Sequence, residues 1–225
     1  MKNILVTGGT SYIGKHCIAE LLKKEYNVRT TVRDIKKAES ARTDINKYLK
    51  KDTNIEFFEA DLLKEKGWNK AIVDCDAIMH VAGPYPLNFD GPEEDQIKPH
   101  EEGTIRILKL AKLNNVDRVV LTSSIAAVWM GVPGDKDLDE SKWTNENTKH
   151  IDPYIKSKTI KEKAAWDYVL KNKSTDSQKN VVIANSGMAI STAQQISLSD
   201  GLFKAKESIE SGNALNTFET LKKLS

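Results

Sequence analysis

Thr7-Gly8-Gly9-Thr10-Ser11-Tyr12-Ile13-Gly14 joins a short apolar run to a helical pattern near the start of the chain. Residues 3–7, which read NILVT, predict a buried strand, and residues 12–24 predict a helix. Glycine lets the backbone turn tightly and approach a pyrophosphate, whose charge is then met by the helix N-terminus. A glycine-rich string alone is a weak signal, but between a strand and a helix it predicts a dinucleotide-phosphate loop.

The rest of the chain repeats the alternation of strand and helix. The predicted strands are apolar throughout, which is typical of a sheet covered on both faces. Strict alternation also predicts parallel strands joined by right-handed crossovers. We therefore expect an α/β fold, a Rossmann-like doubly wound parallel sheet. Further strands are predicted at 27–32, 55–59, 77–81, 118–122 and 181–184, and further helices at 35–50, 64–73, 93–113, 153–171 and 199–210.

The composition is that of a globular chain with balanced charge. The 225 residues include 34 Lys and Arg against 32 Asp and Glu, which gives a net charge of +2. This balance favours neither nucleic acid nor an anionic membrane as a partner, and no apolar run approaches the roughly 20 residues of a membrane helix. Cys17 and Cys75 form neither a disulfide framework nor, with the four histidines, a metal-ligand pattern. We therefore expect a reducing, cytoplasmic location.

The end of the second predicted strand, Thr31-Val32-Arg33-Asp34, bears on the choice of cofactor. In dinucleotide-binding folds, a residue about 20 positions after the glycines contacts the adenosine ribose. A carboxylate there binds the 2′-hydroxyl of NAD, whereas an arginine pairs with the 2′-phosphate of NADP. Asp34 can serve instead as the cap of the next helix and Arg33 has no such alternative, so the sequence favours NADP over NAD. Three further cations could assist, although a solvated helix face explains them better: Lys36, Lys37 and Arg42.

A second group of polar residues predicts acid/base chemistry. Tyr154-Ile155-Lys156-Ser157-Lys158 places Tyr154 and Lys158 four residues apart, and therefore on one helix face. A nearby ammonium lowers the pKa of a phenol, so Tyr154 could exchange a proton near neutral pH. Ser123-Ser124 follows the fifth predicted strand at its carboxyl end, where open α/β sheets bind ligands. A serine hydroxyl there could hold a substrate carbonyl beside the tyrosine.

Seven strings, in order along the chain, carry a resemblance to a known family. They are LVTGGTSYIG, TVRD, EADLL, HVAGPYP, IKPHEEGT, RVVLTSS and YIKSK, and the resemblance that they carry covers residues 3 to about 190. With these strings the chain resembles an extended short-chain dehydrogenase/reductase of the NAD-dependent epimerase/dehydratase superfamily. Within it, the chain is most similar to the branch of dihydroflavonol and cinnamoyl-CoA reductases. Seven motifs in register are far more specific than any one of them.

The resemblance implies a role for each matching residue. Ser124 matches the catalytic serine, and Tyr154 matches the catalytic acid/base. Lys158 matches the lysine that lowers the pKa of the tyrosine and binds the nicotinamide ribose, and Arg33 matches the arginine that selects the 2′-phosphate. The other implied cofactor contacts are Gly8, Thr10, Ser11, Tyr12, Ile13 and Gly14 in the loop, Asp61 and Leu62 beside the adenine, Val81, Ala82 and Gly83 beside the nicotinamide-side ribose and phosphates, and Thr122.

The resemblance also implies a reaction. We expect an NADP-dependent oxidoreductase that reduces a ketone or aldehyde to an alcohol, with residues 1–190 as the dinucleotide-binding domain. The expected partner is a small carbonyl or alcohol substrate, no metal is expected, and the long helices could form a homodimer. Two alternatives stay open: a dinucleotide-binding protein of the same fold without activity, and a nucleotide-sugar epimerase or hydroxysteroid dehydrogenase.

Several positions depart from the pattern of that family. Ser11 stands where the family usually has a glycine, so its Cβ could crowd the pyrophosphate, although its hydroxyl could donate to it. Glu102 stands where many members carry an active-site asparagine, and Asn185-Ser186-Gly187 replaces a proline-containing string. The chain is shorter than most members, so residues 191–225 are expected to be a remnant of a truncated substrate-binding region. Among the tryptophans, Trp129 is the best candidate for contact with an aromatic substrate.

Overall fold

The computed structural model describes residues 1–85, 91–129, 142–149 and 151–172. The chain divides into two compact units, Met1–Asp90 with Lys98–Thr122, and Gly91–Ile97 with Ser123–Ser225. The predicted strand at 181–184, the predicted helix at 199–210 and the expected domain boundary at residue 190 lie outside the described residues.

The first unit is built on a five-stranded sheet. Its strands are β1 Asn3–Thr7, β2 Asn27–Val32, β3 Ile55–Glu59, β4 Ala77–His80 and β5 Val119–Leu121. They lie in the order β3-β2-β1-β4-β5, and every neighbouring pair is parallel. The chain runs from β1 to one edge, returns to the other side of β1 and continues to the second edge. This order confirms the doubly wound parallel sheet and places the topological switch point, where such sheets bind ligands, between β1 and β4.

Six α-helices lie within the described ranges. They are α1 Tyr12–Lys23, α2 Ala38–Leu49, α3 Trp68–Ile72, α4 Glu94–Leu113, α5 Ala126–Trp129 and α6 Pro153–Lys171. The helices α1 and α2 share one apolar cluster with the first three strands, built from Val6, Ile18, Ala19, Val28, Ile45 and Ile55. None of the described helices is both long enough and apolar enough to cross a membrane.

The helix predicted at 35–50 is divided in two. A short three-ten turn, Ile35–Lys37, precedes α2. The carboxylate of Asp34 caps this turn by accepting a hydrogen bond from the Lys36 amide at 3.0 Å. The capping role that the sequence suggested for Asp34 is therefore confirmed, but the helix behind it begins three residues later than predicted.

The prediction of a helix at 64–73 is wrong for its first turn, because α3 begins only at Trp68. Gly67 precedes it with φ +94°, a conformation outside the helical region. A Cβ on Gly67 would lie 1.9 Å from the carbonyl oxygen of Glu59, at the end of β3. The close approach of this glycine to the strand therefore fixes the start of the helix.

In the second unit, α5 packs against α6. Thr144 ties the segment 142–149 to α5, since its amide donates to the Ala127 carbonyl at 2.8 Å and its hydroxyl donates to the Ala126 carbonyl at 2.6 Å. The same segment contacts α6 through an ion pair of 2.6 Å between Glu146 and Lys163. The start of α5 is therefore held by neighbours on two sides.

Candidate functional site

The turn between β1 and α1 depends on glycine at two positions. Gly8 has φ +77°, which residues with a Cβ rarely adopt. At Gly14, in the first turn of α1, a Cβ would lie 2.3 Å from the carbonyl oxygen of Gly8. A larger side chain at either position would therefore displace the backbone of this turn.

Ser11 is the N-cap of α1. Its Oγ accepts a hydrogen bond from the Gly14 amide at 3.0 Å and donates one to the Gly8 carbonyl at 2.8 Å. Its backbone is extended, with φ −75° and ψ 156°, so the position does not require glycine. The hydroxyl hydrogen is donated within the turn rather than outward to a ligand, so Ser11 contributes by shaping the loop.

Backbone amides at the start of α1 are available to an anion. Those of Thr10, Tyr12 and Ile13 make no hydrogen bond to any residue in the described ranges, whereas the two preceding glycine amides donate to the Thr31 carbonyl. The side chains of Tyr12 and Ile13 are 77% and 53% exposed. Unpaired amides at a helix N-terminus, where the helix dipole is positive, attract negative charge. This turn therefore fits the phosphates of a dinucleotide.

Arg33 and Asp34, at the end of β2, have different surroundings. Arg33 is exposed, and its guanidinium contacts no residue in the part of the chain that the structure describes. Asp34 is used as the cap of the three-ten turn. Arg42 donates to two backbone carbonyls at the start of β3, so it supports the fold, while Lys36 and Lys37 are exposed. Arg33 is thus an exposed cation at this edge whose guanidinium has no partner among the described residues.

Asp61 and Leu62 follow β3 and are both half-buried. The Asp61 carboxylate accepts the amide two residues on at 2.9 Å, and its carbonyl accepts the Trp68 indole at 2.8 Å. The Leu62 carbonyl accepts a hydrogen bond from Arg106. The Leu62 side chain packs so closely on Gly103 that a Cβ there would lie 2.8 Å from it. Four contacts therefore fix this stretch of backbone.

The three residues after β4 approach the end of β1. The Ala82 amide donates to Thr7 Oγ1 at 2.9 Å, which joins the two strands beyond their regular pairing. Val81 is half-buried, and Gly83 is exposed. A Cβ on Gly83 would lie 2.5 Å from Nε2 of His100, so the imidazole packs directly on its backbone. This segment lies at the switch point of the sheet.

His80 is the last residue of β4 and is buried. Its Nδ1 lies 2.9 Å from Thr7 Oγ1, and its carbonyl accepts the Thr122 amide at 3.0 Å. These contacts join the ends of β1, β4 and β5, which agrees with a structural role for His80 rather than an acid/base role. Thr122 is half-buried directly after β5.

In the second unit, α6 carries the predicted tyrosine and lysine. The Asp152 carboxylate caps the helix by accepting the Tyr154 amide at 2.7 Å. The ammonium of Lys158 lies 5.5 Å from the centroid of the Tyr154 ring. Lys158 is only 6% exposed. Burial lowers the pKa of Lys158 to about 8, although the negative charge of Glu162 opposes this shift. The Lys158 ammonium and the Tyr154 ring therefore lie on the same face of α6.

Ser124 lies at the start of α5, which packs against α6. Its carbonyl accepts the Ala127 amide at 2.9 Å, and its Oγ accepts the Ala126 amide at 3.2 Å. Because Oγ acts as an acceptor within the described part of the chain, the hydroxyl hydrogen stays available to a carbonyl oxygen. The second unit therefore contains a hydroxyl donor, a phenol and an ammonium.

The structure adds Lys161 and Glu162, which the sequence did not indicate, and it gives Ser123 a partner on α6. Ser123 Oγ donates to the Glu162 carboxylate, although the two residues are 39 positions apart. Lys161 is fully buried. The spacing carries a signal for Glu162, since it lies four residues after Lys158 and therefore on the same helix face. Spacing gives no signal for the contact with Ser123.

Glu102, which stands where many members of the family carry an asparagine, is exposed on α4. The Lys163 ammonium lies 5.6 Å from the Trp143 ring centroid. The side chain of Trp129, the tryptophan expected to contact substrate, lies outside the described residues, as do residues 185–187.

The family comparison agrees with the resemblance carried by the seven strings. The model of the NAD dependent epimerase/dehydratase family matches residues 4–177. An anthocyanidin reductase of Vitis vinifera is 35% identical over 179 residues, which cover 76% of this chain and 52% of the relative. A dihydroflavonol 4-reductase of Solanum lycopersicum is 34% identical over 177 residues, which cover 75% of this chain and 46% of the relative.

A solved structure with the same fold is that of the yeast methylglyoxal/isovaleraldehyde reductase Gre2 complexed with NADPH. It is 25% identical, with a TM-score of 0.63, and the match covers 80% of this chain and 55% of that chain. The chain spans about half the length of the curated relatives that it matches. The predicted branch of dihydroflavonol-type reductases is thereby confirmed.

Proposed function

The chain belongs to the NAD dependent epimerase/dehydratase family, and on this basis we propose that it binds NADP and reduces a ketone or aldehyde to an alcohol. The relatives named above are reductases. Because the chain spans only part of their length, its activity rests on its own residues as well as on the family.

The residues of the first unit fit a dinucleotide. Gly8 has a positive φ and Gly14 leaves no room for a Cβ, and the amides of Thr10, Tyr12 and Ile13 can receive the phosphates. Ser11 keeps this turn in shape as a helix cap. These features support the assignment of residues 8 and 10–14 to the pyrophosphate.

Arg33 supports NADP rather than NAD. Its guanidinium is exposed and contacts none of the described residues, so it is available to form a charge-assisted pair with a 2′-phosphate. Asp34, the carboxylate that could bind a 2′-hydroxyl, already caps the three-ten turn. The yeast neighbour was solved with NADPH, which agrees with this preference.

The proposed reaction uses three groups of the second unit. When bound, NADPH supplies the hydride for carbonyl reduction. Ser124 donates a hydrogen bond to the carbonyl oxygen, and Tyr154 delivers the proton that completes the alcohol. Lys158 lowers the pKa of the phenol and binds the nicotinamide ribose. The observation that carries this proposal is the buried Lys158 ammonium, 5.5 Å from the centre of the Tyr154 ring.

The test compares NADPH oxidation by the wild-type chain and by Tyr154→Phe with a panel of aliphatic and aromatic carbonyl compounds. We expect wild type to reduce at least one compound and Tyr154→Phe to lose at least about a hundredfold in kcat, as removal of a general acid does. Tyr168→Phe is the matched control, because Tyr168 lies on the same helix outside the three reacting groups. Equal rates for wild type and Tyr154→Phe would reject the role of the tyrosine.

The panel also separates the alternatives. Turnover of a nucleotide sugar without net NADPH consumption would favour an epimerase, and binding of NADPH without turnover would favour a dinucleotide-binding protein.

The proposal also includes a homodimer, formed by the long helices α4 and α6, and a cytoplasmic location. Sedimentation of the purified chain tests the first, and imaging of the tagged chain in its own cell tests the second.

A further inference from the structure

Glu162 stands at the centre of a cluster on α6 that the proposed reaction does not use. It lies one helical turn beyond Lys158 and two beyond Tyr154, so the three share one face of the helix. Lys158 is 6% exposed, and the adjacent Lys161 is fully buried. Ammonium groups withdrawn from water are destabilised unless a negative charge lies close to them.

Glu162 is connected to the segment that carries the proposed catalytic serine. Ser123 Oγ donates a hydrogen bond to the Glu162 carboxylate, and the Trp166 side chain lies beside the same carboxylate. Ser123 immediately precedes Ser124, whose own carbonyl and Oγ accept the two amides at the start of α5. The hydrogen bond thus holds residue 123 against α6 while α5 holds residue 124.

The charges in this cluster act on one another. Burial lowers the pKa of Lys158 to about 8, and the carboxylate of Glu162 acts in the opposite direction. Burial raises the pKa of Glu162, whereas the hydrogen bond from Ser123 and the charges of Lys161 and Lys158 lower it. Burial and the positive charge of Lys158 lower the pKa of Lys161, and the negative charge of Glu162 opposes this shift too.

The other charged pairs on α6 involve different partners. Lys156 pairs with Glu93 at 2.9 Å, and Lys163 pairs with Glu146 at 2.6 Å. The latter pair is also partly buried, with side chains 33% and 28% exposed. It therefore provides a matched control on the same helix, in which a carboxylate can be removed away from Lys158.

We propose that Glu162 is a positioning residue for the proposed reduction: its carboxylate keeps Lys158 in the ammonium form, and its bond to Ser123 fixes the segment that presents Ser124 to the substrate. This inference rests on the proposed function for its catalytic consequence. The juxtaposition of Glu162 with Lys158 and Ser123 is independent of that function. One carboxylate therefore serves both halves of the proposed site.

The first experiment does not require catalytic activity. The side-chain signal of Lys158 is followed against pH by NMR on isotope-labelled lysine and assigned with Lys158→Met. We expect Glu162→Gln, which keeps the size of the side chain and removes its charge, to lower the titration midpoint of Lys158 by about one pH unit. The control Glu146→Gln should leave that midpoint in place. An unchanged midpoint in Glu162→Gln would overturn the proposal.

A second variant covers the case in which Glu162→Gln does not fold. Glu162→Asp keeps the charge but withdraws it by one methylene, so the midpoint should fall in the same direction by about half a unit, since charge effects weaken with distance. A midpoint equal to that of wild type in the folded aspartate variant would also overturn the proposal.

The kinetic experiment tests the link to Ser124. In Ser123→Ala, which removes no ionisable side chain, kcat for carbonyl reduction should fall about tenfold while KM for NADPH changes by less than about twofold, because a misplaced group affects the chemical step. An unchanged kcat would overturn the positioning role. If wild type reduces no carbonyl compound, the proposed function is rejected, and the Lys158 titration alone decides the role of Glu162.

Discussion

Replacement of Ser11 by alanine separates two roles for this hydroxyl. In the structure, Oγ accepts the Gly14 amide at 3.0 Å and donates to the Gly8 carbonyl at 2.8 Å. Ser11→Ala removes both bonds and leaves one donor at the helix N-terminus unpaired. Loss of an N-cap costs about 0.5–2 kcal/mol. Because Ser11 is exposed and water can reach the amide, we expect about 1 kcal/mol, within that range.

Thermal denaturation followed by circular dichroism measures this effect. In a chain of this size, 1 kcal/mol corresponds to a fall in Tm of about 2–4 °C. Ser11→Gly is the matched variant, because glycine is a tolerated N-cap and should lower the free energy of unfolding by only roughly a few tenths of a kcal/mol. The Ser11→Ala variant should therefore be less stable than the Ser11→Gly variant, although alanine is the better helix former in general.

NADPH titration of the same variants tests the other role. If Ser11 acts only as a cap, the Kd for NADPH should change by less than about threefold, which is under 1 kcal/mol. Wild-type stability in Ser11→Ala together with a Kd raised about tenfold or more would contradict the role of Ser11 as a cap. That result would mean that the hydroxyl donates to the pyrophosphate, as the sequence alone left open.

Three further changes have effects that follow from the same structure. Arg33→Gln should raise the Kd for NADPH about tenfold, because it removes a charge-assisted contact, and should leave the Kd for NADH unchanged. The control is Lys37→Gln, which removes another exposed cation, and an equal effect of Arg33→Gln on both cofactors would contradict selection of the 2′-phosphate by Arg33. The pKa of Lys158 is lowered from 10.5 to about 8 in the folded chain, so the unfolded chain binds more protons between these two pH values. The unfolding free energy of wild type should therefore rise with pH over this range relative to that of Lys158→Met. Urea titrations of the two proteins that show no such difference would contradict the burial of the ammonium. Gly67→Ala should destabilise the fold by more than about 1 kcal/mol, since its Cβ would lie 1.9 Å from the Glu59 carbonyl; a wild-type Tm would contradict that geometry.

The sheet was predictable because its signals are local. Each strand is a short apolar run, and the glycine turn lies between the first strand and the first helix, so β1, α1 and the alternation of strands with helices follow from residues close together in the sequence. The order of the strands does not, since it pairs residues as far apart as Ile4 and Ala77. The first turn of α3 was not predictable. It depends on the approach of Gly67 to the Glu59 carbonyl, a contact that helical periodicity does not record.

The candidate site divides in the same way. Spacing alone places Tyr154 and Lys158 on one face of α6, and the structure brings the lysine ammonium to the tyrosine ring. Spacing does not reveal that Lys158 is buried or that Ser123 bonds to Glu162 across 39 positions. These features arise from the packing of α5 against α6, which is a tertiary property.

Direct titration of the wild-type chain with NADPH and with NADH, followed by nicotinamide fluorescence, tests the central claim. We expect saturable binding of NADPH with a Kd at least about tenfold below that of NADH, which corresponds to about 1.4 kcal/mol from the 2′-phosphate. Absence of binding of either cofactor would contradict the claim that this chain is a dinucleotide-dependent reductase.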